Sequence, residues 1–222
     1  MKPFVVAIDG PAASGKGTLA RRLAERFAFA HLDTGRLYRA AALLVLEAKL
    51  NPADPRAAAA AARRVAATAL ADPRLAEERV AEAASVVAVI PEVRAALLAF
   101  QRDFAAAPPA LAPAAPAKGA VLDGRDIGSH VCPSAAVKFF VTASLEVRAR
   151  RRVEELRRRG APAIYQTVLR DLQERDARDS SRRSAPLVAA PDAIVIDTTA
   201  LDADAVFAIA VEWVARALAL PL

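Results

Sequence analysis

Short apolar runs alternate with helical patterns along this chain. Five runs are rich in strand-forming residues and predict strands at residues 4–8, 28–33, 120–122, 136–141 and 193–196. Between these runs apolar residues recur every three or four positions, which is typical of amphipathic helices. Strands that alternate with helices predict an α/β fold, in which helices cover both faces of a five-stranded parallel sheet. Ligands of such sheets bind beyond the carboxyl ends of the strands.

The helical patterns are interrupted mainly by proline. One helix follows the second strand to about residue 49, where Pro52 and Pro55 stop it. Residues 56–104 are mostly helical in pattern and rich in alanine, with breaks at Pro73 and Pro91. The pattern therefore places several short helices, and no strand, between the second and third strands.

Two later segments have simple patterns. Residues 105–119 consist largely of alanine and proline, which predicts an extended or mobile surface connection. Residues 202–218 predict the last helix. Its inward face is expected to carry Val206, Ile209, Trp213 and Ala217.

The first strand leads directly into a phosphate-binding loop. Gly10 and Gly15 enclose four residues, Lys16 follows, and an amphipathic helical pattern comes next. The glycines allow backbone N–H groups to curl around an anion, and the helix N-terminus adds a partial positive charge. Lys16 would supply a full charge to the β- and γ-phosphates of a nucleotide.

The residue after the loop lysine departs from the usual pattern. It is Gly17 instead of serine or threonine, and the hydroxyl comes one position later at Thr18. The usual side-chain ligand of Mg²⁺ is therefore missing. This change favours phosphotransferases of small molecules over GTPases.

Composition narrows the class of protein. The chain has 222 residues, enough for one core domain with an inserted lobe. No uncharged apolar run reaches the length of about 18 residues that a membrane span needs, and no signal-peptide pattern is present. Cys132 is the only cysteine, which excludes a disulfide framework and favours a packed thiol in a cytoplasmic protein. His31 and His130 lack partners at metal-ligand spacing, so no chemistry is assigned to them.

The net charge of +6 comes mainly from arginine. It has three possible explanations: a mutational bias that also enriches alanine, a nucleic-acid partner, or a site for several phosphates, which suits the rigid fork of arginine. Only the positions of the arginines can separate them.

Two arginine-rich helices are predicted in the second half of the chain. Ser144 caps the first and Gly160 ends it. Its arginines are Arg148, Arg150, Arg151, Arg152, Arg157, Arg158 and Arg159. In the second helix, which begins near Ile164, the apolar stripe of Val168 and Leu172 continues at helical spacing into Arg175, Asp179 and Arg182. Charges on a protein-facing stripe need partners or a ligand.

Four motifs together resemble a known family. They are the phosphate loop, DTGRLYRA from Asp33, VLDGRDIGS from Val121 and ERDARDSSRR from Glu174. The chain resembles the bacterial cytidylate kinases, the CMP/dCMP kinases among the nucleoside monophosphate kinases, over residues 6–213. The resemblance implies an enzyme that transfers the γ-phosphoryl group of MgATP to CMP or dCMP. It also implies a cytoplasmic monomer whose partners are small nucleotides, without a nucleic acid or a membrane.

The resemblance divides one P-loop kinase domain, residues 1–222, into three parts. They are a core (about 1–35, 113–147 and 186–222), an acceptor-binding lobe (about 36–112), and an arginine-rich lid with its following helix (about 148–185). Many family members insert a small three-stranded sheet into the lobe. Residues 51–84 lack glycine and any strand pattern, so they are expected to be helical instead.

The resemblance also implies the ATP site. The loop residues expected to bind ATP are Gly10, Pro11, Ala12, Ala13, Ser14, Gly15, Lys16, Gly17 and Thr18. Lys16 would contact the transferring phosphate, and Arg148 and Arg152 are the lid arginines expected over the triphosphate. Asp123 takes the Walker B position and would hold Mg²⁺ through water, near Thr18, so no direct protein ligand of the metal is expected.

The acceptor site is implied in the same way. Its expected residues are Thr34, Tyr38, Arg39, Ser85, Arg94, Arg125, Asp126, Arg175, Asp179 and Arg182. Arg125 and Arg175 would grip the acceptor phosphate and count, with Lys16 and Asp123, as catalytic.

Base recognition falls to three of these residues. Ser85, Arg94 and Asp126 would read cytosine, because a carboxylate accepts a hydrogen bond from the 4-amino group but repels O4 of uracil. Asp179 suits a ribose hydroxyl. Two alternatives stay open: another small P-loop kinase, such as one for UMP, AMP or shikimate, and a nucleic-acid-binding protein that uses ATP as a switch.

Overall fold

The fold is an α/β sheet surrounded by helices, as seen in a computed structural model that describes residues 3–112, 115–182 and 184–219. The strands are β1 (Phe4–Asp9), β2 (Ala30–Asp33), β3 (Gly119–Gly124), β4 (Val137–Thr142) and β5 (Ile194–Asp197). The α-helices are α1 (Lys16–Phe27), α2 (Thr34–Glu47), α3 (Pro55–Ala62), α4 (Glu78–Val87), α5 (Pro91–Ala106), α6 (Leu145–Arg158), α7 (Tyr165–Ser180) and α8 (Ala203–Ala219). Short 3₁₀ turns cover Ala67–Ala71 and Pro73–Ala76, and one π-helical turn covers Ile127–Val131.

The strands form one sheet in the order β2-β3-β1-β4-β5. β1 pairs in parallel with β3 and β4, and β4 pairs in parallel with β5. The predicted five-stranded parallel sheet is therefore confirmed. The register places Ile8 beside Asp123 and Asp9 beside Gly124, so the phosphate loop after β1 and the acidic turn after β3 leave the sheet at the same level.

The chain divides into two compact units. The first unit contains residues 1–31 and 105–222, and the second contains residues 32–104. The core of the first unit joins the sheet to α1 and α8, with Ile8, Leu23 and Phe139 almost completely buried. The second unit has its own cluster, in which Leu43 of α2 packs with Leu75 and with Val80 of α4.

Several element boundaries differ from the prediction. β2 begins two residues late because Ala28 adopts a left-handed conformation (φ 54°) that ends α1. α5 continues to Ala106, into the alanine- and proline-rich segment. Further along, Ala112 and Ala115 form an isolated bridge, and residues 113–114 of the predicted connection lie outside the described residues. Residues 51–84 form helices and 3₁₀ turns, as predicted.

The inward face of α8 was predicted correctly at Val206, which is buried, and at Ala217, which packs against the core, but wrongly at Ile209 and Trp213. Val206 is buried, but the next buried residues are Ala210 and Val214. Ile209 is 37% exposed and Trp213 is 42% exposed. The stripe advances by four residues at each step instead of by three and four, so the small Ala210 faces the sheet and the large indole stays outside.

Two further observations concern apolar segments. Cys132 is buried as a free thiol, as predicted. In the described part of the chain no single helix is long and apolar enough to cross a membrane, although α4 and α5 together reach that length and apolarity and are bent by 103°.

Candidate active site

The phosphate loop connects β1 to α1 in a tightly packed turn. Gly10 has a φ of 151°, and a Cβ atom there would lie 2.0 Å from the carbonyl oxygen of Val141 on β4, so only glycine fits. Gly15 caps α1 in a left-handed conformation (φ 94°), and α1 begins at Lys16. The first N–H groups of α1 therefore face the loop, as in anion-binding helix termini.

The interior of this loop suits a phosphate group. Ser14 is buried, and its Oγ has no hydrogen-bond partner among the described residues. At the edge of the loop Gly15 is exposed, and a Cβ atom added to it would meet nothing within 4 Å. Lys16 points its Nζ back over the loop, 3.3 Å from the carbonyl oxygen of Pro11. An unsatisfied hydroxyl and a cation together fit a triphosphate.

Asp123 lies at the carboxyl end of β3, beside the phosphate loop. It is buried, and Nε2 of His31 lies 2.8 Å from its Oδ1. The imidazole donates this hydrogen bond, since a carboxylate only accepts. A Cβ atom on Gly17 would lie 3.7 Å from Oδ2 of Asp123, which places this carboxylate within a side chain's reach of the loop. A carboxylate at this position fits Mg²⁺ held through water.

The turn after Asp123 is held by a second buried carboxylate. Asp9, at the end of β1, accepts hydrogen bonds of 2.7 Å from the backbone N–H groups of both Ile127 and Gly128. Burial raises the pKa of Asp9 to about 6, although these two hydrogen bonds act in the opposite direction. Arg125 and Asp126 lie in the stretch of turn between β3 and the two bonded amides.

Asp179 of α7 lies beside three arginines of the first unit. Arg125 donates from Nε to Oδ2 of Asp179 at 2.7 Å, and Arg182 donates to Oδ1. Burial alone would raise the pKa of Asp179, but the positive charges of Arg125, Arg182 and Arg175 outweigh it and lower the value to about 2. The charged stripe predicted for this helix therefore forms a cluster with net positive charge.

Arg182 reaches this cluster from outside the helix. α7 ends at Ser180, and Ser181 is its C-cap, so the predicted stripe stops at Asp179. The side chain of Arg182 nevertheless is only 5% exposed. The helical spacing was therefore wrong for Arg182, although its position beside Asp179 was right.

The two predicted lid arginines have different surroundings. Arg148 is buried and reaches the phosphate loop: Nη1 lies 3.4 Å from the carbonyl oxygen of Ala12, and Nη2 pairs with Asp176 of α7 at 2.7 Å. Arg152 pairs with Glu155 on its own helix at 2.7 Å. Arg148 thus ties α6 and α7 to the loop, whereas the ion pair of Arg152 with Glu155 stays within α6.

The second unit holds the other five predicted acceptor residues. Thr34 begins α2 and is buried. Arg39 donates to the carbonyl oxygen of Leu75 at 2.9 Å, and the guanidinium of Arg94 lies 5.7 Å from the ring centre of Tyr38. Ser85 of α4 is buried, and its Oγ has no hydrogen-bond partner among the described residues. A buried hydroxyl of this kind is costly unless something binds to it.

A family model described as cytidylate kinase matches residues 6–216 of the chain. The chain belongs to the cytidylate kinase family. It is 56% identical to a cytidylate kinase of Rhodospirillum rubrum over 213 residues, which cover 96% of this chain and 98% of that protein. It is 58% identical to a cytidylate kinase of Paramagnetospirillum magneticum over 206 residues, which cover 93% of this chain and 95% of that protein.

A solved structure shows the same fold at much lower sequence similarity. The crystal structure of an uncharacterized protein from Eubacterium ventriosum aligns with a TM-score of 0.54 and 16% identity, covering 97% of this chain and 99% of that one. This similarity supports the fold alone. The family resemblance that the motifs indicated is confirmed by the sequence comparisons.

Sequence reasoning missed two residues that the structure places in the candidate site. The sequence pointed to no chemistry for His31, yet it contacts Asp123 across 92 positions of the chain. Asp9 stood out only as part of the phosphate-loop stretch, and its partners lie 118 and 119 positions away. The sheet order β2-β3-β1 brings these groups together, because it places the strand of His31 and the strand of Asp9 on either side of β3. No local pattern in the sequence encodes it.

Proposed function

We propose that this protein is a cytidylate kinase, which transfers the γ-phosphoryl group of ATP to CMP or dCMP and releases ADP with CDP or dCDP. The match to the family over residues 6–216 carries this proposal. In the first unit the phosphate loop and the arginine cluster around Asp179 provide the two kinds of anion site that the reaction needs. We also propose a cytoplasmic monomer with nucleotides as its partners.

Residues of the phosphate loop hold the donor nucleotide in this proposal. The backbone N–H groups of the phosphate loop and the Ser14 hydroxyl bind phosphate oxygens. Lys16 neutralises negative charge on the phosphoryl group being transferred. Mg²⁺, when bound, would offset the negative charge of the phosphates. Asp123 would hold this ion through water, near Thr18. The orphaned Ser14 hydroxyl and the position of Asp123 beside Gly17 support these roles.

Arginines of the first unit hold the acceptor phosphate. Arg125 and Arg175 bind its oxygens, and Arg182 adds charge from the end of α7. Phosphoryl transfer depends on alignment and on positive charge around the moving oxygens, more than on covalent chemistry by the protein. Asp179 fixes the arginines and accepts a hydrogen bond from a ribose hydroxyl. The shared carboxylate contacts of Arg125 and Arg182 support this arrangement.

Asp126 is proposed to select cytosine. Its carboxylate accepts from the 4-amino group, whereas O4 of uracil would place two acceptors against each other. For the second unit we propose contacts with the acceptor nucleotide by five residues. Ser85 and Arg94 contact the base, and the other three are Thr34, Tyr38 and Arg39. The buried, unsatisfied hydroxyl of Ser85 is the observation in that unit that favours a ligand.

The segment of residues 148–185 is proposed as the lid. Closing it would exclude water, which could otherwise hydrolyse ATP. Arg148 and Arg152 are the side chains proposed to contact the triphosphate. The contact of Arg148 with the carbonyl oxygen of Ala12 supports its part of this proposal.

The deciding experiment is a coupled assay of ADP release with MgATP and a panel of acceptors: CMP, dCMP, UMP, AMP, GMP and shikimate. Turnover that is strongest with CMP and dCMP is expected. If UMP is used as well as CMP, the proposed kinase activity stands, but the proposed role of Asp126 in selecting cytosine is wrong. Preference for AMP or shikimate would overturn the substrate assignment, and ATP binding without acceptor-dependent turnover would overturn the kinase itself.

A further inference from the structure

Asp9 occupies an unusual place between the two halves of the first unit's site. It is the last residue of β1, and the next residue, Gly10, begins the phosphate loop. Only 4% of its surface is exposed. A buried carboxylate is costly unless it is fully hydrogen-bonded, so its presence here calls for an explanation.

The hydrogen bonds of Asp9 close a ring of backbone. The β1–β3 ladder pairs Asp9 with Gly124, and the Asp9 side chain then binds the N–H groups of Ile127 and Gly128 at 2.7 Å each. The end of β3 therefore lies beside Asp9 at Gly124, through the strand pairing. The following turn comes back to Asp9 at Ile127 and Gly128, whose N–H groups bind its side chain. Arg125 and Asp126 are the two residues between Gly124 and the first bonded amide.

The contacts around the ring leave the turn little freedom. A Cβ atom on Gly128 would lie 3.1 Å from Cδ of Lys138 and 3.4 Å from Oδ2 of Asp9. Within the turn, the carbonyl oxygen of Asp126 accepts from the N–H groups of His130 and Val131 at 2.9 and 3.1 Å. The strand pairing at Gly124 fixes the chain before Arg125, and these hydrogen bonds, with those to Asp9, fix it after Asp126.

We infer that Asp9 is a positioning residue for the acceptor nucleotide: by clamping the turn at Ile127 and Gly128 it sets where Arg125 and Asp126 stand relative to the phosphate loop. This inference rests on the proposed roles of those two residues. A carboxylate is required because two neighbouring N–H groups need two acceptor oxygens. Asparagine has one acceptor oxygen, and its N–H₂ group would face one of the two backbone N–H groups, so that two donors would oppose each other.

The test compares Asp9→Asn with wild type in steady-state kinetics. The KM for CMP is expected to rise by about tenfold or more, because small displacements of binding groups are costly, while the KM for ATP stays nearly unchanged. The preference for CMP over UMP is expected to narrow. Val214→Ala, a core change in α8, is the destabilised control and should keep both KM values.

Two results would overturn the inference. One is a folded Asp9→Asn protein with an unchanged KM for CMP and an unchanged CMP/UMP preference. The other is an equal rise in both KM values, which would mean that Asp9 serves the phosphate loop instead. If Asp9→Asn fails to fold, Gly128→Ala is measured instead, because its added methyl group would crowd Asp9 and Lys138. In this variant the KM for CMP should rise while the KM for ATP stays nearly unchanged. An unchanged KM for CMP in that variant would count against the clamp.

Hydrogen exchange on the wild-type protein separates this inference from the proposed function. Without nucleotide, the amides of Ile127 and Gly128 are expected to exchange slowly. Exchange as fast as that of an unbonded surface amide would overturn the clamp, even in an active kinase. If wild type fails to use CMP at all, the proposed function fails, and the clamp is still judged by the exchange of these two amides.

Discussion

Arg125 donates from Nε to Oδ2 of Asp179 at 2.7 Å, which links the turn after β3 to the end of α7. Both side chains are largely buried, at 14% and 2% exposure. The carboxylate therefore holds the arginine in place before any phosphate arrives. Arg182 shares the same carboxylate, so one anion orients two cations of the proposed acceptor site.

Asp179→Asn is expected to lower the free energy of unfolding by about 3 kcal/mol, because removing one partner strands buried cations. It should also reduce kcat/KM for CMP, since Arg125 and Arg182 lose their common anchor. Urea unfolding and the coupled assay measure the two effects. Asp171→Asn is the matched control, because Asp171 lies exposed on the same helix and its ion pair with Arg170 is at the surface. Equal stability of the two variants would argue against the anchor.

Lys16→Ala is expected to abolish phosphoryl transfer while the protein stays folded. Lys16 is the only lysine of the phosphate loop, and its charge serves the transferring group in the proposed mechanism. Lys118→Ala, an exposed lysine in the same unit, should retain wild-type turnover. Activity above about a tenth of wild type in Lys16→Ala would contradict the loop assignment, because loss of charge stabilisation in a phosphoryl transfer costs far more than tenfold.

Asp126→Asn is expected to reduce turnover of CMP and to narrow the preference for CMP over UMP. An amide can present a donor to O4 of uracil, which a carboxylate cannot. The ratio of kcat/KM for the two acceptors is the measurement. Asp103→Asn, at an exposed position, provides the control. A ratio that does not move would assign cytosine recognition to other residues.

Asp9 should give folding stability a distinct dependence on pH. Its pKa is about 6 in the folded protein and 3.8 in the reference state, so between these values the folded protein binds a proton that the unfolded chain does not. Stability from this group is therefore greatest below pH 3.8 and is lost as the pH rises through 6. The total is about 3 kcal/mol, because one pKa unit is worth about 1.4 kcal/mol.

Urea unfolding of wild type and Asp9→Asn at several values between pH 4 and pH 7 tests this expectation. As the pH rises, the unfolding free energy of wild type should fall relative to that of Asp9→Asn, because the asparagine does not titrate. A difference that stays constant over this range would show that Asp9 is ionised throughout, as its two backbone hydrogen bonds alone would favour.

The sequence predicted the parts of this protein that are encoded locally. Gly10, Gly15 and Lys16 are neighbours in the chain, so their spacing alone identifies the loop that they form. The parallel sheet was predicted from the alternation of strand and helix patterns, each of which is likewise read from a short stretch of the chain. The roles of the predicted acceptor residues stay predictions, because placement beside Asp179 does not by itself show contact with a nucleotide.

What the sequence did not predict depends on contacts between distant segments. Asp9 and His31 gain their roles only through the pairing of strands, and helical periodicity says nothing about it. Trp213 was expected inside because large apolar residues usually are, yet α8 presents the smaller Ala210 to the sheet and leaves the indole outside, with Arg216 5.6 Å from its ring centre. Arg182 was counted along a helix that had already ended.

Gly17 was singled out because it replaces the hydroxyl residue that usually follows the loop lysine. A Cβ atom there would approach Oδ2 of Asp123 to 3.7 Å and Nη1 of Arg21 to 3.9 Å, which are ordinary contact distances. A β-carbon at this position would therefore displace neither neighbour. Packing does not require glycine here, so what distinguishes this loop is the missing hydroxyl group itself.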